Sequence, residues 1–294
     1  MISGYGQDNL ILERANLPSI FPVVPYYEHG WSLTDDLIKS YRFSSSTFHF
    51  SWNERMKKKF LNYKVNKKVF ITGSPFLFYK EKENIKQKKE RNSIFFVAHS
   101  TPLINSDTTV EYLDKLIKKL PNAIKPIDIC CHYFDYENFK SMEQLGYNVL
   151  TPGKVFDNDY PKNFYDIISK YSFAASNQLG SYTLYSIDLN IPFYLVDEAP
   201  TFTNFGGDKN VPYKYQVSDY KFTKKISPLF TKIVDKPNSD QKKLADTELG
   251  INSRINEKEL RKILIKSLGN SFKNFGDAKS LIKAYIKPIY FYFK

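Results

Sequence analysis

Four histidines, His29, His49, His99 and His132, are the only side chains here whose ordinary titration falls near neutral pH. Three of them stand at or just past the end of an apolar run and before a turn: Glu28-His29-Gly30, His99-Ser100-Thr101 and His132-Tyr133. An imidazole in that position can donate to an anionic oxygen or carry a proton. A second group lies at Gly180-Ser181 and Thr183, where glycine allows close backbone approach and two hydroxyls sit at a helix start. Free amides and the positive end of the helix dipole favour a phosphate or other anion there. The plainer alternatives are a helix cap at Ser181 and partly buried histidines beside turn glycines. Asp157-Asn158-Asp159 has the Asp-x-Asp spacing that can hold a divalent metal, but between Gly153 and Pro161 it reads as ordinary turn acids. No spacing of His, Cys and Asp resembles a zinc site, so the chemistry is expected to need neither metal nor cofactor.

The elements that must position these residues follow from the pattern around them. Tyr171–Glu198 reads as strand, turn, helix, strand: a small apolar run at 172–175, a polar turn at 176–181, a brief helix ended by Asn190 and Pro192, and Phe193–Val196. Upstream, strands are predicted at 94–98, 127–131 and 147–150, and helices at 110–120, 138–145 and 164–170. The first of those helices carries Val110, Leu113, Leu116, Ile117 and Leu120 at helical spacing. This alternation predicts an α/β fold with a doubly wound, Rossmann-type parallel sheet. Strand ends in such a sheet share one rim, so His99, His132 and Ser181 should lie close together.

Before residue 72 the chain predicts helices at 9–15 and 54–61 and extended stretches at 20–27 and 46–52. Lys68–Ile71 then breaks at Thr72-Gly73-Ser74-Pro75. Lys80–Arg91 is dense in charge and reads as a solvated segment. After Glu198 a loop is expected to about Tyr215, with Gly206-Gly207, and then sparsely patterned polar sequence to Gly250. Two basic helices are predicted beyond it. The first opens on a capping box, Asn256 with Glu259, and pairs Leu260, Ile263, Leu264 and Leu268 with Lys258, Lys262 and Lys266. The second repeats the design with Leu281, Ile282, Tyr285 and Ile286 beside Lys279, Lys283 and Lys287.

Composition narrows the classes. A chain of 294 residues with 42% hydrophobic content can fill a core. No apolar run reaches the roughly 18–20 residues that span a bilayer. The start MISGYGQDNL lacks the basic end and apolar centre of a secretion signal. Cys130 and Cys131, adjacent in an apolar run, suit buried thiols. The expected location is the cytoplasm. The net charge of +12 asks for an anionic partner or substrate. Between Arg254 and Lys294, ten basic residues face three acidic ones, a net of +7. Those lysine rows suit peripheral docking on the inner, anionic membrane surface, or the apolar stripes beside them pack on the sheet. No motif for specific nucleic-acid recognition accompanies the charge.

The ordered set His-Gly, Thr-Gly-Ser-Pro, strand–His, and small strand–Gly-Ser–helix–Pro resembles glycosyltransferases of the two-Rossmann-domain (GT-B) type. It is most similar to bacterial enzymes of capsule, teichoic acid or lipopolysaccharide synthesis, such as polysialyltransferase-like, Kdo-transferase-like and glycerophosphotransferase-like proteins. The resemblance covers roughly residues 20–200. It implies a catalytic base at His29 and a second catalytic and donor-binding histidine at His132. It also implies donor contacts at His99, Ser100, Thr101, Gly180, Ser181, Thr183 and Glu198, and a crossing between domains at Thr72–Pro75, with Gly73 and Ser74 on the donor side. Tyr133 stands where such families commonly have proline.

On this reading the chain divides into a reduced α/β part at 1–72, a nucleotide-sugar-binding domain at 73–218 and a basic helical tail at 219–294. The expected partners are a nucleotide-sugar donor, a glycan or lipid-linked acceptor and an anionic membrane surface. The short amino-terminal part leaves room for a homodimer. Two other functions fit the same residues: a nucleotide-sugar epimerase of this fold, and a non-catalytic polyanion-binding protein.

Overall fold

The computed structural model describes residues 4–206, 211–271 and 273. The second predicted basic helix, at 278–287, lies outside the described residues. Eleven strands are present among the described residues: β1 Tyr26–Tyr27, β2 Phe48–Ser51, β3 Lys68–Ile71, β4 Arg91–Phe96, β5 Ile104–Ser106, β6 Ile127–Cys130, β7 Val149–Leu150, β8 Tyr171–Ser176, β9 Phe193–Leu195, β10 Phe202–Asn204 and β11 Lys214–Tyr215.

The larger parallel sheet has the order β7-β6-β4-β8-β9. In chain order of its own strands this is 3-2-1-4-5, the doubly wound arrangement. Pairing register runs Ser93 with Ile127 on one side of β4 and Ser93 with Phe173 on the other. Successive side chains of a strand point to opposite faces, and β4 divides its residues accordingly. Ile94 and Phe96 enter one core with Cys130, Ala174 and Leu184, while Phe95 and Val97 enter the other with Leu113, Ile129 and Ala175. A sheet apolar on both faces needs helices on both. Val110–Lys119, capped by Thr109 accepting from the Tyr112 amide at 3.2 Å, covers one face. Tyr160–Ile168 and Ser181–Asp188 cover the other. The α/β class expected from the alternation is the one observed.

A smaller parallel sheet, β1-β2-β3, belongs to the amino-terminal part. One face packs Tyr27, Phe48 and Phe50 on Ile11 of the helix Gln7–Arg14. The other packs Tyr41 on Met56 and Phe60 of the helix Glu54–Asn62, which Asn53 caps through the Met56 amide at 3.0 Å. His49 is buried on that second face between Tyr26 and Phe60, whose ring centroid is 4.3 Å away. Trp31, Trp52 and Phe76 join one core with Tyr185 of the larger sheet's helix layer, so the two sheets share packing.

Several expectations are revised. The stretch after Glu198 is not a plain loop. β10 pairs antiparallel with β5 and β11, forming a third small sheet. The sparsely patterned stretch before Gly250 holds the helices Lys221–Ile226 and Ser239–Leu249, the latter opened by reciprocal bonds of Asn238 and Gln241 at 2.9 Å. The helix expected at 138–145 starts earlier, at Tyr133–Phe139, and continues as a 3-10 segment to Leu145. The run at 20–27 is extended only at β1.

The helix Glu257–Ser271 carries the predicted apolar stripe, and Asn256 accepts from the Glu259 amide at 2.9 Å. Leu260, Ile263 and Leu264 are buried against Phe48 and Phe50. Each such side chain contributes roughly 1.5–3 kcal/mol, so the stripe is used by packing on the smaller sheet. Lys258, Lys262 and Lys266 remain exposed. Among the described residues no helix is long and apolar enough to cross a membrane.

Candidate functional site

A strand order that reverses at β4 opens a crevice between the loops following β4 and β8. The loop of the smaller sheet that follows β1 closes over this crevice. The resulting cavity is about 1190 Å³, and its walls include His29, Gly30, His99, Thr101, His132, Gly180 and Ser181.

His132 ends the β6 run and caps the next helix: its Nδ1 accepts from the Phe134 amide at 3.4 Å. Its ring stacks on His99, with centroids 4.6 Å apart and planes inclined by 25°. Burial, with His99 as a second cause, pushes the His132 imidazole down to about 3. It is therefore neutral at neutral pH, and because Nδ1 is an acceptor its proton sits on Nε2. His99 is lowered by burial too, with the nearby Asp135 carboxylate opposing that shift. Asp135 accepts from the Ser100 amide at 2.8 Å, and Ser100 Oγ accepts from the Ser106 amide at 3.1 Å. Ser100 thus shapes its loop.

The helix start is built by its own turn. The Gly180 amide donates to Thr183 Oγ1 at 3.2 Å, and Thr183 is fully buried. The Tyr182 ring folds back over the turn, and a Cβ on Gly180 would lie 2.7 Å from it. Any larger residue would have to displace that ring. The Ser181 and Tyr182 amides have no hydrogen-bond partner among the described residues. They are the free donors a helix start offers to an anion.

His29 sits on the opposite wall, two residues past β1, with its ring edge-on to Tyr26 and Tyr27 at 5.9 and 5.6 Å. Its loop is fastened from several directions. The Trp31 amide donates to Ser181 Oγ at 2.8 Å, and Trp31 Nε1 donates to Glu248 at 2.8 Å. Glu248, 3% exposed, also takes Arg55 Nη2 at 2.7 Å. Glu28 is buried beside His29, and its Oε2 accepts from the Trp52 amide at 2.8 Å. Desolvation raises the Glu28 carboxyl to about 8.

Five predicted donor residues, Gly73, Ser74, Ser100, Thr183 and Glu198, do not line the cavity. Gly73 and Ser74 lie in the crossing between the sheets, where Ser74 bonds the Leu249 carbonyl at 2.9 Å and the Tyr185 hydroxyl at 2.7 Å. Glu198 pairs with Lys119 at 3.0 Å and its carbonyl takes the Tyr112 hydroxyl at 3.0 Å. Thr183, also buried, serves the turn. Asp157 accepts from the Asp159 amide at 2.9 Å, a local turn bond. Among the described residues no group of three His, Cys, Asp or Glu side chains is placed to hold a metal.

Sequence reasoning did not single out Tyr5, Gln7, Trp31, Tyr160 or Gln178, all of which line the cavity. The Gly4-Tyr5-Gly6 spacing was the available signal for the first two.

No protein-family model matches the chain. No curated protein matches it either. Among solved structures, it is similar to a UDP-GlcNAc 2-epimerase from Neisseria meningitidis bound to UDP-GlcNAc, at 15% identity and a TM-score of 0.38, covering 76% of this chain and 61% of that one. It is also similar to S. aureus MnaA in complex with UDP, at 10% identity and a TM-score of 0.40, covering 77% and 61%. A third is the wall teichoic acid polymerase TagF, at 12% identity and a TM-score of 0.38, covering 77% and 58%. The chain spans about three fifths of the length of each.

Proposed function

We propose that the chain is a glycosyltransferase that moves a sugar, or a similar group, from a nucleotide-activated donor to a glycan or lipid-linked acceptor. The observation that carries this reading is the placement of His29 across one cavity from His132 and the Gly180–Ser181 helix start. The donor's phosphate oxygens sit at the Ser181 and Tyr182 amides. As the bond from the anomeric carbon to phosphate breaks, negative charge grows on the leaving oxygen. Fixed donors aimed at that oxygen stabilise it without metal. The acceptor hydroxyl forms the new bond to the anomeric carbon and passes its proton to the His29 imidazole. His132, neutral with its proton on Nε2, acts as a hydrogen-bond donor and not as a cation.

In this reading the exposed lysines of Glu257–Ser271 suit docking at the cytoplasmic face of the membrane, close to a lipid-linked acceptor. A thermal-shift panel of CMP-, CDP-, UDP- and GDP-sugars tests the proposal. A ligand that binds the native state raises its melting point, and no shift with any of the four classes overturns it. The same two histidines across one cavity would also serve an epimerase. Product analysis with a labelled donor separates the two, since only a transferase moves label to an acceptor.

A further inference from the structure

The segment Gly4–Gln7 leaves the smaller sheet's side of the cavity and reaches the other wall. Its geometry is specific. Gly6 has φ +64°, and a Cβ there would lie 2.6 Å from the Asn158 carbonyl oxygen. Tyr5 also has φ +64°, a conformation that costs a non-glycine residue about 1 kcal/mol or more. It is held by its amide donating to the Val155 carbonyl and by its ring meeting Tyr160 edge-on at 4.8 Å. The Tyr5 hydroxyl then lies 3.4 Å from His132 Nε2. Two residues on, Gln7 Nε2 donates to the His29 carbonyl at 2.9 Å. One short segment therefore touches both histidines that face each other across the cavity.

We propose that Tyr5 is a positioning residue for His132: its hydroxyl oxygen accepts the hydrogen bond from Nε2–H, holds the ring's orientation and presents its own O–H to an anionic oxygen in the cavity. The direction of the bond follows from the other side of the ring. The Phe134 amide can only donate, so Nδ1 must accept and Nε2 must carry the hydrogen. Tyr5 Oη consequently accepts, and its own hydrogen has no acceptor among the described residues. Because Tyr5 lines the cavity, that hydrogen is available to a phosphate oxygen. The chain amide–imidazole–phenol polarises toward the ligand, and such bonds are commonly long in an empty site and shorten when it fills. The phenol stays protonated, since burial raises it to about 12. The ligand half of the inference rests on the nucleotide-sugar reading; the Tyr5–His132 half does not.

Tyr5→Phe is the informative variant, because it keeps the ring against Tyr160 and removes only the hydroxyl. Two-bond 1H–15N correlation spectra of the full chain should show His132 as a single Nε2–H tautomer in the parent protein. In Tyr5→Phe the tautomer and the melting point should be unchanged, because the Phe134 amide still occupies Nδ1, while the Nε2 proton should move upfield and exchange faster with solvent. Inorganic pyrophosphate and UDP should bind at least about tenfold more weakly to the variant, the effect of losing a bond to a charged group. An Nε2 proton with the same shift and exchange rate in Tyr5→Phe as in the parent overturns the assignment. So does equal pyrophosphate and UDP affinity in the two proteins. If the parent binds neither probe, the nucleotide-sugar reading fails, while the comparison of the Nε2 proton in the two proteins still decides the role of Tyr5.

Discussion

The Trp31 amide donates to the Ser181 hydroxyl at 2.8 Å, joining residues 150 positions apart in the chain. This bond ties the loop that carries His29 to the helix start that offers free amides. Ser181 therefore sets the distance across the cavity as well as lining it. Ser181→Ala removes the acceptor and leaves the Trp31 amide unpaired, which costs about 1–3 kcal/mol. We expect a lower denaturation midpoint and weaker nucleotide binding together. A Ser181→Ala protein with unaltered stability would show that water replaces the hydroxyl and that the tie is dispensable.

On the proposed function the two histidines, His29 and His132, divide the labour, and single substitutions should separate them. His132→Ala should weaken nucleotide affinity by about ten- to a hundredfold with the fold intact. His29→Ala should leave nucleotide affinity in place and cut turnover by about a hundredfold or more. Calorimetric titration with CDP and UDP, paired with a turnover assay, reads both. An active His29→Ala variant removes that residue as the base.

Glu28 makes stability depend on pH. Its carboxyl is raised by burial from 4.5 to about 8, so between those values the folded protein binds a proton that the unfolded chain has lost. Stability must then fall as pH rises from about 4.5 to 8, by at most about 1.4 kcal/mol per pH unit. Glu28→Gln keeps an oxygen for the Trp52 amide and cannot ionise. Denaturant melts should show that the variant is less sensitive than the parent to pH between 5 and 8, and more stable at the upper end. Equal slopes would place the parent carboxyl in its ordinary range.

His49 is fully buried, and neither ring nitrogen has a hydrogen-bond partner among the described residues. Burial holds it well below its usual range, with Lys67 and His29 acting in the same direction. Its imidazole packs as an aromatic ring against Tyr26, Tyr41 and Phe60. His49→Phe should raise stability by about 1 kcal/mol, since replacing an unsatisfied buried polar group by an apolar one of similar shape removes a desolvation cost. The gain should widen below pH 6.5, where the unfolded parent, not its folded form, takes up a proton. A loss of stability would mean that the ring nitrogens are satisfied by buried water.

The lysines of the helix Glu257–Ser271 are on its exposed side, and its apolar stripe is already buried against Phe48 and Phe50. Attachment to a membrane through this helix must then be electrostatic. Replacing Lys258, Lys262 and Lys266 together by Glu should weaken binding to phosphatidylserine vesicles by about tenfold or more. Nucleotide binding should be unchanged. Flotation assays that find the parent bound as tightly at 0.5 M salt as at 0.05 M would rule out this mode of attachment.

What the residues determined alone was the parallel sheet and the residues at its strand tips. Alternating apolar runs, helical spacing at Val110–Leu120 and the breakers Asn190 and Pro192 are local signals, each complete within a dozen residues. They set where β4, β6 and β8 end, and so which side chains stand on the rim. Tertiary structure decided what those side chains do. Ser181 takes a bond from Trp31, and Glu248 takes one from a tryptophan 217 residues away. Gly73 and Ser74 pack into the crossing, and β10 finds β5 about a hundred residues upstream. Tyr5 meets His132 because Gly6 turns the chain toward Asn158. Such partners leave no trace in spacing or composition, since a hydrogen bond depends on distance in space and not on separation along the chain.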